Sequence, residues 1–271
     1  MSRLATLRFV ALAPVRVLYG LWALLAFLAV SLTLLVLLAV LPGIHRRRAA
    51  GRAAARTVLW LAGMPLTVRH LERIPAGQCV VVCNHASYLD GIVLTAALPA
   101  RFGFVIKREM AAVPLAGLVL KRLGSEFVER FDRQRGAADA RRMLRNARNG
   151  HSLAFFPEGT FTRIPGLLKF HTGAFASAAR AGCPVVPAVV RGTRRALPPR
   201  GALPLPGPLE LQILAPLAPP PVVSDKAAPE LRDRARAAIL TALGEPDLTC
   251  CGDTARPPDT GRERSARASR P

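Results

Sequence analysis

Apolar positions along the chain fall into one long block followed by many short ones. No charged side chain interrupts residues 17–41. As a helix that block extends about 37 Å, enough to cross the hydrocarbon of a bilayer. It is too long for a cleaved leader, and no convincing small-x-small site follows it. Beyond it, short runs rich in β-branched residues alternate with segments of helical period. Strands are predicted over residues 78–83, 102–106, 125–128, 151–156, 185–190 and 209–213, and helices over 91–98, 115–123, 137–147 and 230–243. The alternation predicts an α/β domain with a mixed, largely parallel sheet flanked by helices, preceded by an N-terminal hydrophobic membrane helix.

Leucine and proline crowd residues 197–222, which reads as an extended strap with at most one strand inside it. From Gly244 the chain is polar, basic and rich in Pro, Asp, Thr, Ser and Gly. The expected organisation is an anchor with a basic juxtamembrane segment (1–56), an α/β domain (57–243) and a disordered basic tail (244–271).

Charge sharpens this picture. Lys and Arg number 38 against 17 Asp and Glu, a formal net charge of +21. Such a surface calls for an anionic partner, either a membrane leaflet or a nucleic acid. Nucleic acid would leave the apolar block idle, and two Trp and two Tyr give few platforms for stacking bases. An anionic membrane surface is therefore the expected partner, with no nucleic acid. Arg46, Arg47, Arg48, Arg52 and Arg56 follow the apolar block, Arg3, Arg8 and Arg16 precede it, and no acidic residue comes before Glu72. The heavier cluster places the domain on the cytoplasmic face of the inner membrane. The alternative is a monotopic anchor in which residues 17–41 and 57–66 dip into one leaflet. The five cysteines, Cys79, Cys83, Cys183, Cys250 and Cys251, lack C-x-x-C spacing and read as reduced, packed thiols. No metal and no cofactor are expected.

Candidate chemistry begins where the run Val80-Val81-Val82-Cys83 stops at Asn84-His85-Ala86-Ser87-Tyr88-Leu89-Asp90. A strand ending at Cys83 delivers His85 to the carboxyl edge of a sheet, where open α/β folds place their sites. With a turn between them, Asp90 can orient one ring nitrogen and leave the other to take a proton from a hydroxyl. The competing reading makes Ser87 and Asp90 an ordinary capping box and His85 a surface loop residue. Pro157-Glu158-Gly159-Thr160 ends a second apolar run, Lys107 and Glu109 follow a third, and Arg130 to Arg133 follow a fourth.

Taken together, these blocks resemble the glycerolipid acyltransferase family that includes the 1-acylglycerol-3-phosphate acyltransferases, over residues 71–192. His85 and Asp90 fall on its N-H-x-x-x-x-D block, its most specific signature. Lys107, Glu109, Pro114 and Gly117 match the next block, and Gly124 to Arg130 resembles G-x-x-F-[IV]-x-R. Phe156 to Thr160 matches F-P-E-G-T, and Val186-Pro187 the closing V-P block. The resemblance implies acyl transfer from an acyl-CoA or acyl-carrier-protein thioester to a lysophospholipid hydroxyl at the membrane. His85 would be the base and Asp90 its orienting acid. Asn84, Lys107, Arg130, Arg133, Glu158, Gly159, Thr160 and Arg163 would bind substrate. The implied acceptor is 1-acyl-sn-glycerol-3-phosphate, giving phosphatidic acid; the alternatives are a zwitterionic lysophospholipid, an amino-acid lipid, or a catalytically silent scaffold. Neither Ser87 nor Cys83 has a nucleophile elbow around it. One departure bears on the acceptor: where the family usually has arginine after E-G-T this chain has Phe161, with the next arginine at Arg163. His171 stands where the family often has a basic residue, and is a possible second base or a packed histidine.

Overall fold

The computed structural model describes residues 13–128, 151–199, 203–219 and 226–249. Within them α1 (Ala13–Val40) leads into α2 (Ile44–Leu61), then β1 (Leu66–Arg69), β2 (Val80–Cys83) and α3 (Leu89–Ala97). Next come β3 (Phe102–Lys107), α4 (Ala116–Arg122), β4 (Glu126–Val128) and β5 (Ser152–Phe155). The chain closes with α5 (Gly173–Ala181), β6 (Val185–Arg191), α6 (Thr193–Ala196), β7 (Leu209–Ile213) and α7 (Ala227–Leu243). The seven strands form one sheet in the order β1-β7-β6-β2-β5-β3-β4. All neighbours are parallel except β6 and β7, so the mixed, largely parallel sheet follows the sequence pattern.

The uninterrupted apolar run of β2 has a simple cause: both faces of the sheet are covered. Val81 and Cys83 point into a core shared with Leu59 of α2 and with Val93, Leu94 and Ala97 of α3. Val80 and Val82 point into the opposite core, with Phe175 and Ala178 of α5 and Leu231, Ala235 and Ile239 of α7. Each fully buried valine contributes about 1.5 to 3 kcal/mol relative to exposure, so the centre of the sheet is the rigid part of the scaffold. The cysteines described, Cys79, Cys83 and Cys183, are free and buried.

Helix α1 lies lengthwise on the domain. Its buried positions, Gly20, Ala23, Ala26, Leu34 and Leu38, form a stripe at helical spacing. Near one end the Tyr19 hydroxyl donates to the Ala62 carbonyl (2.6 Å) and the Trp22 indole to the Leu61 carbonyl (2.9 Å). At the other end guanidinium groups of Arg122 and Arg47 donate to the carbonyls of Leu38 and Leu41. The opposite face, with Leu18, Leu25, Leu32, Val36 and Val40, is exposed. Among the described residues α1 is the one helix long and apolar enough to cross a membrane.

Several findings depart from the sequence reading. Of the basic cluster after the apolar block, Arg48, Arg52 and Arg56 are turned onto the domain. Arg52 and Arg56 donate to the Ala96 and Ala97 carbonyls at the end of α3, and Arg48 to the carbonyls of Arg101, Leu123 and Gly124. They cap otherwise unpaired backbone groups. Helices α2 and α5 and strand β1 were not anticipated. The tail expected to be disordered from Gly244 has residues 244–249 packed on the loop after β5: Leu167 N–H donates to the Pro246 carbonyl, and Leu248 N–H to the Leu167 carbonyl. The helix predicted over 137–147 lies outside the described residues.

Candidate active site at the carboxyl edge of β2 and β5

Strands β2 and β5 are parallel neighbours in register, Val82 beside Phe155, so the segments that follow them leave the sheet side by side. The first carries His85 and the second Glu158. Asn84, buried, fixes the start of the first segment: its Oδ1 accepts from the Val190 N–H (2.8 Å) and its Nδ2 donates to the Val190 carbonyl (3.1 Å). Both ends of the amide are thus spent on β6, and Asn84 braces the turn; it was expected to contact substrate.

Asp90 sits in the first turn of α3 with no exposed surface. Its Oδ2 lies 2.8 Å from His85 Nδ1 and accepts the N–H groups of Ala86 (2.6 Å) and Ser87 (2.8 Å). A carboxylate oxygen can only accept, so Nδ1 carries the proton and Nε2 the lone pair. The two readings of the heptapeptide are therefore one structure: the carboxylate that caps the turn also aims the imidazole. The Ala86 and Ser87 amides are thus spent on Asp90 and are not free to bind an oxyanion.

Glu158 holds the turn from the other side. Its Oε1 accepts the His85 N–H (2.6 Å) and its Oε2 the Leu168 N–H (2.8 Å). Burial pushes this carboxyl up to about 7; its two backbone donors pull the other way and nearby Asp90 adds to the rise. The family resemblance implied that Glu158 binds substrate, whereas both its carboxyl oxygens are occupied by backbone N–H groups.

The imidazole is walled by aromatic rings. Phe156 stacks on it (centroids 4.2 Å apart, planes at 15°), Phe161 meets it edge-on (4.5 Å, 77°), and Tyr88 meets Phe161 (4.9 Å, 90°). The His85 side chain keeps 17% of its surface exposed. Tyr88 and Phe156 were not singled out from the sequence, because which rings face the imidazole depends on how two loops from different strands meet.

Ser87 Oγ donates to the Leu197 carbonyl (2.7 Å) and accepts from the Leu89 N–H (3.2 Å). Burial raises the Cys83 thiol well above its ordinary value, so neither side chain is poised as a nucleophile.

Lys107 ends β3, on the far side of β5 from β2 but at the same edge of the sheet. Gly159 takes a left-handed conformation (φ 74°) in the turn after Glu158. Thr160 and Arg163 are exposed on the loop that follows, and His171 is exposed with its N–H donated to the Pro157 carbonyl. Arg130 and Arg133 lie outside the described residues.

The Acyltransferase family model matches residues 65–191. Over 133 residues the chain is 33% identical to a chloroplastic 1-acyl-sn-glycerol-3-phosphate acyltransferase of Brassica napus, a match covering 48% of this chain and 38% of that one. Over 147 residues it is 34% identical to a lyso-ornithine lipid O-acyltransferase of Pseudomonas aeruginosa, covering 51% and 54%. The chain thus spans 38% to 54% of the length of these two relatives. Its fold matches the crystal structure of the 1-acyl-sn-glycerophosphate acyltransferase of Thermotoga maritima with a TM-score of 0.70 at 21% identity, covering 84% of this chain and 96% of that one. Over residues 65–191 the chain is thus similar to the acyltransferase family.

Proposed function

We propose that this domain transfers a fatty acyl chain from a coenzyme A or acyl-carrier-protein thioester to the hydroxyl of a lysolipid at a membrane surface. The observation that carries the reading is the bond from His85 Nδ1 to an Asp90 oxygen itself fixed by two backbone amides. It leaves Nε2 as a base in a fixed direction.

As the acceptor oxygen attacks the thioester carbonyl, its proton moves to His85 Nε2 and Asp90 stabilises the imidazolium. The tetrahedral intermediate collapses, the carbon–sulfur bond breaks, and the imidazolium returns the proton to the departing thiolate. Glu158 keeps the His85 backbone in place from behind. Lys107, Arg130, Arg133, Thr160 and Arg163 are assigned to the anionic parts of donor and acceptor, and Gly159 to the turn that lets the loop pass the site. The exposed apolar face of α1 rests in a cytoplasmic leaflet, lying along the domain, and brings the site to its lipid. The relatives' names span a glycerol phosphate acceptor and a lyso-ornithine lipid, so the acceptor's headgroup is decided by side chains of this chain.

The test is His85→Ala, assayed with labelled acyl donor and a panel of lysolipids. Acyl transfer should fall by about a hundredfold or more, the scale for losing a general base, with the melting temperature and membrane binding retained. Equal rates in variant and parent would remove His85 from the mechanism.

A further inference from the structure

Building on the acyl-transfer reading, we propose that Phe161 excludes a phosphomonoester from the site. The acceptor is a lysolipid whose reacting hydroxyl sits on a hydrocarbon chain, such as a hydroxyacyl chain amide-linked to an amino acid.

The surroundings of His85 carry this. Asp90 occupies Nδ1 and Glu158 the backbone N–H, so two buried carboxyl groups stand behind the imidazole. Phe156 covers one ring face, and Phe161, half-buried, stands edge-on and is continued by the ring of Tyr88. Tyr88 is 63% exposed and Ile164, on the same loop as Phe161, 59% exposed; both add apolar surface outside the site.

In 1-acyl-sn-glycerol-3-phosphate the phosphate is borne by the carbon next to the one carrying the reacting hydroxyl. An acceptor poised on Nε2 therefore brings its dianion within reach of the side chains that touch the imidazole. Drawing that dianion out of water requires charged donors. Phe161 offers none, and the buried Asp90 carboxylate behind the imidazole disfavours a further anion. A hydroxyl flanked by methylene groups has the opposite needs. Its chain packs on the aromatic wall, and only its hydroxyl hydrogen requires a partner, which is Nε2. The glycerol phosphate implied by the family resemblance thus gives way to the amino-acid lipid that stood beside it.

The test uses the full chain in lipid vesicles, with acyl-CoA and acyl-carrier protein each tried as donor. Two acceptors are compared, an N-(3-hydroxyacyl) amino-acid lipid and 1-acyl-sn-glycerol-3-phosphate. The parent should favour the hydroxyacyl lipid by about tenfold or more in kcat/KM. Phe161→Leu should keep that order, and Phe161→Arg should shift the ratio toward the phosphate by about tenfold. A parent that prefers the phosphate acceptor overturns the proposal, as does a folded Phe161→Arg whose ratio is unmoved; either result leaves acyl transfer standing. A parent that acylates neither lipid with either donor overturns both readings. The parent's own preference decides the matter if the arginine variant does not fold.

Discussion

Glu158, with 4% of its surface exposed, answers to opposing demands. Burial favours its neutral form, while the N–H groups of His85 and Leu168 favour the anion. Burial wins, and the carboxyl titrates at about 7 instead of its ordinary 4.5. Between those values the folded chain holds a proton that the unfolded chain has released. Stability from this group is fully present below the lower value and is lost as pH rises through the upper one. Replacing it by glutamine removes the titration and leaves one backbone N–H facing an amide nitrogen, at a cost of about 1 to 3 kcal/mol. The melting-temperature difference between parent and Glu158→Gln should therefore shrink as pH rises from about 4.5 to about 7. A difference constant across that range would mean that Glu158 is charged throughout. The consequence reaches the site because the same carboxyl holds the His85 backbone.

At the scale of elements, the loop that carries Thr160, Phe161 and Arg163 is held from outside the sheet. Glu245 Oε2 accepts the Gly166 N–H (2.7 Å), and Glu245 Oε1 pairs with Arg194. Arg236 of α7 donates to the carbonyls of Leu167 and Leu168, and the next donor along is the Leu168 N–H on Glu158. A Cβ on Gly166, whose φ is +143°, would meet Leu248 at 2.5 Å, so the segment after α7 sits hard against this loop. Glu245→Ala should lower the melting temperature through two lost charge-assisted bonds, to the Gly166 N–H and to Arg194, about 1.5 to 3 kcal/mol each. It should also raise KM for the acceptor more than it lowers kcat, because His85 keeps its bond to Asp90. Steady-state kinetics and thermal melting check both. None of this clamp was legible in the sequence, where residues from Gly244 read as a polar tail. Strands β2, β3, β5, β6 and β7 were legible because burial on one or both faces writes itself into runs of Val, Leu and Phe. Strand β1 has only Leu66 and Val68 half-buried between exposed Thr67 and Arg69, a signal four residues long. Helix α5 is mostly alanine, and its buried Ala174, Phe175, Ala178 and Ala179 stand out only once a helical period is assumed. The His85–Asp90 pairing was legible because both partners lie on one turn; the Phe161 contact, made between two strands' loops, was not.

For the whole molecule, the formal charge of +21 overstates what faces a membrane, since Arg48, Arg52 and Arg56 are committed to backbone carbonyls. On the proposed reading, apolar surface then has to hold the protein to a bilayer, and α1 supplies it on one side only. Leu18, Leu25 and Leu32 are exposed at 68%, 61% and 56%, whereas Ala23 and Ala26 are buried at 4% and 6% against the domain. Trp22 and Trp60, exposed at 52% and 78%, suit the boundary between headgroups and acyl chains. Position therefore predicts opposite phenotypes for one charge. Leu25→Glu should leave the melting temperature unchanged and weaken vesicle binding by about 2.5 kcal/mol or more, on the order of a hundredfold. Ala26→Glu should destabilise the fold by prising α1 off α2. Because insertion and not charge supplies most of the hold, about 1 M salt should weaken binding of the parent to anionic vesicles without abolishing it. Vesicle co-sedimentation alongside thermal melting separates these outcomes. If Leu25→Glu binds as the parent does, the exposed face of α1 is not what meets the lipid.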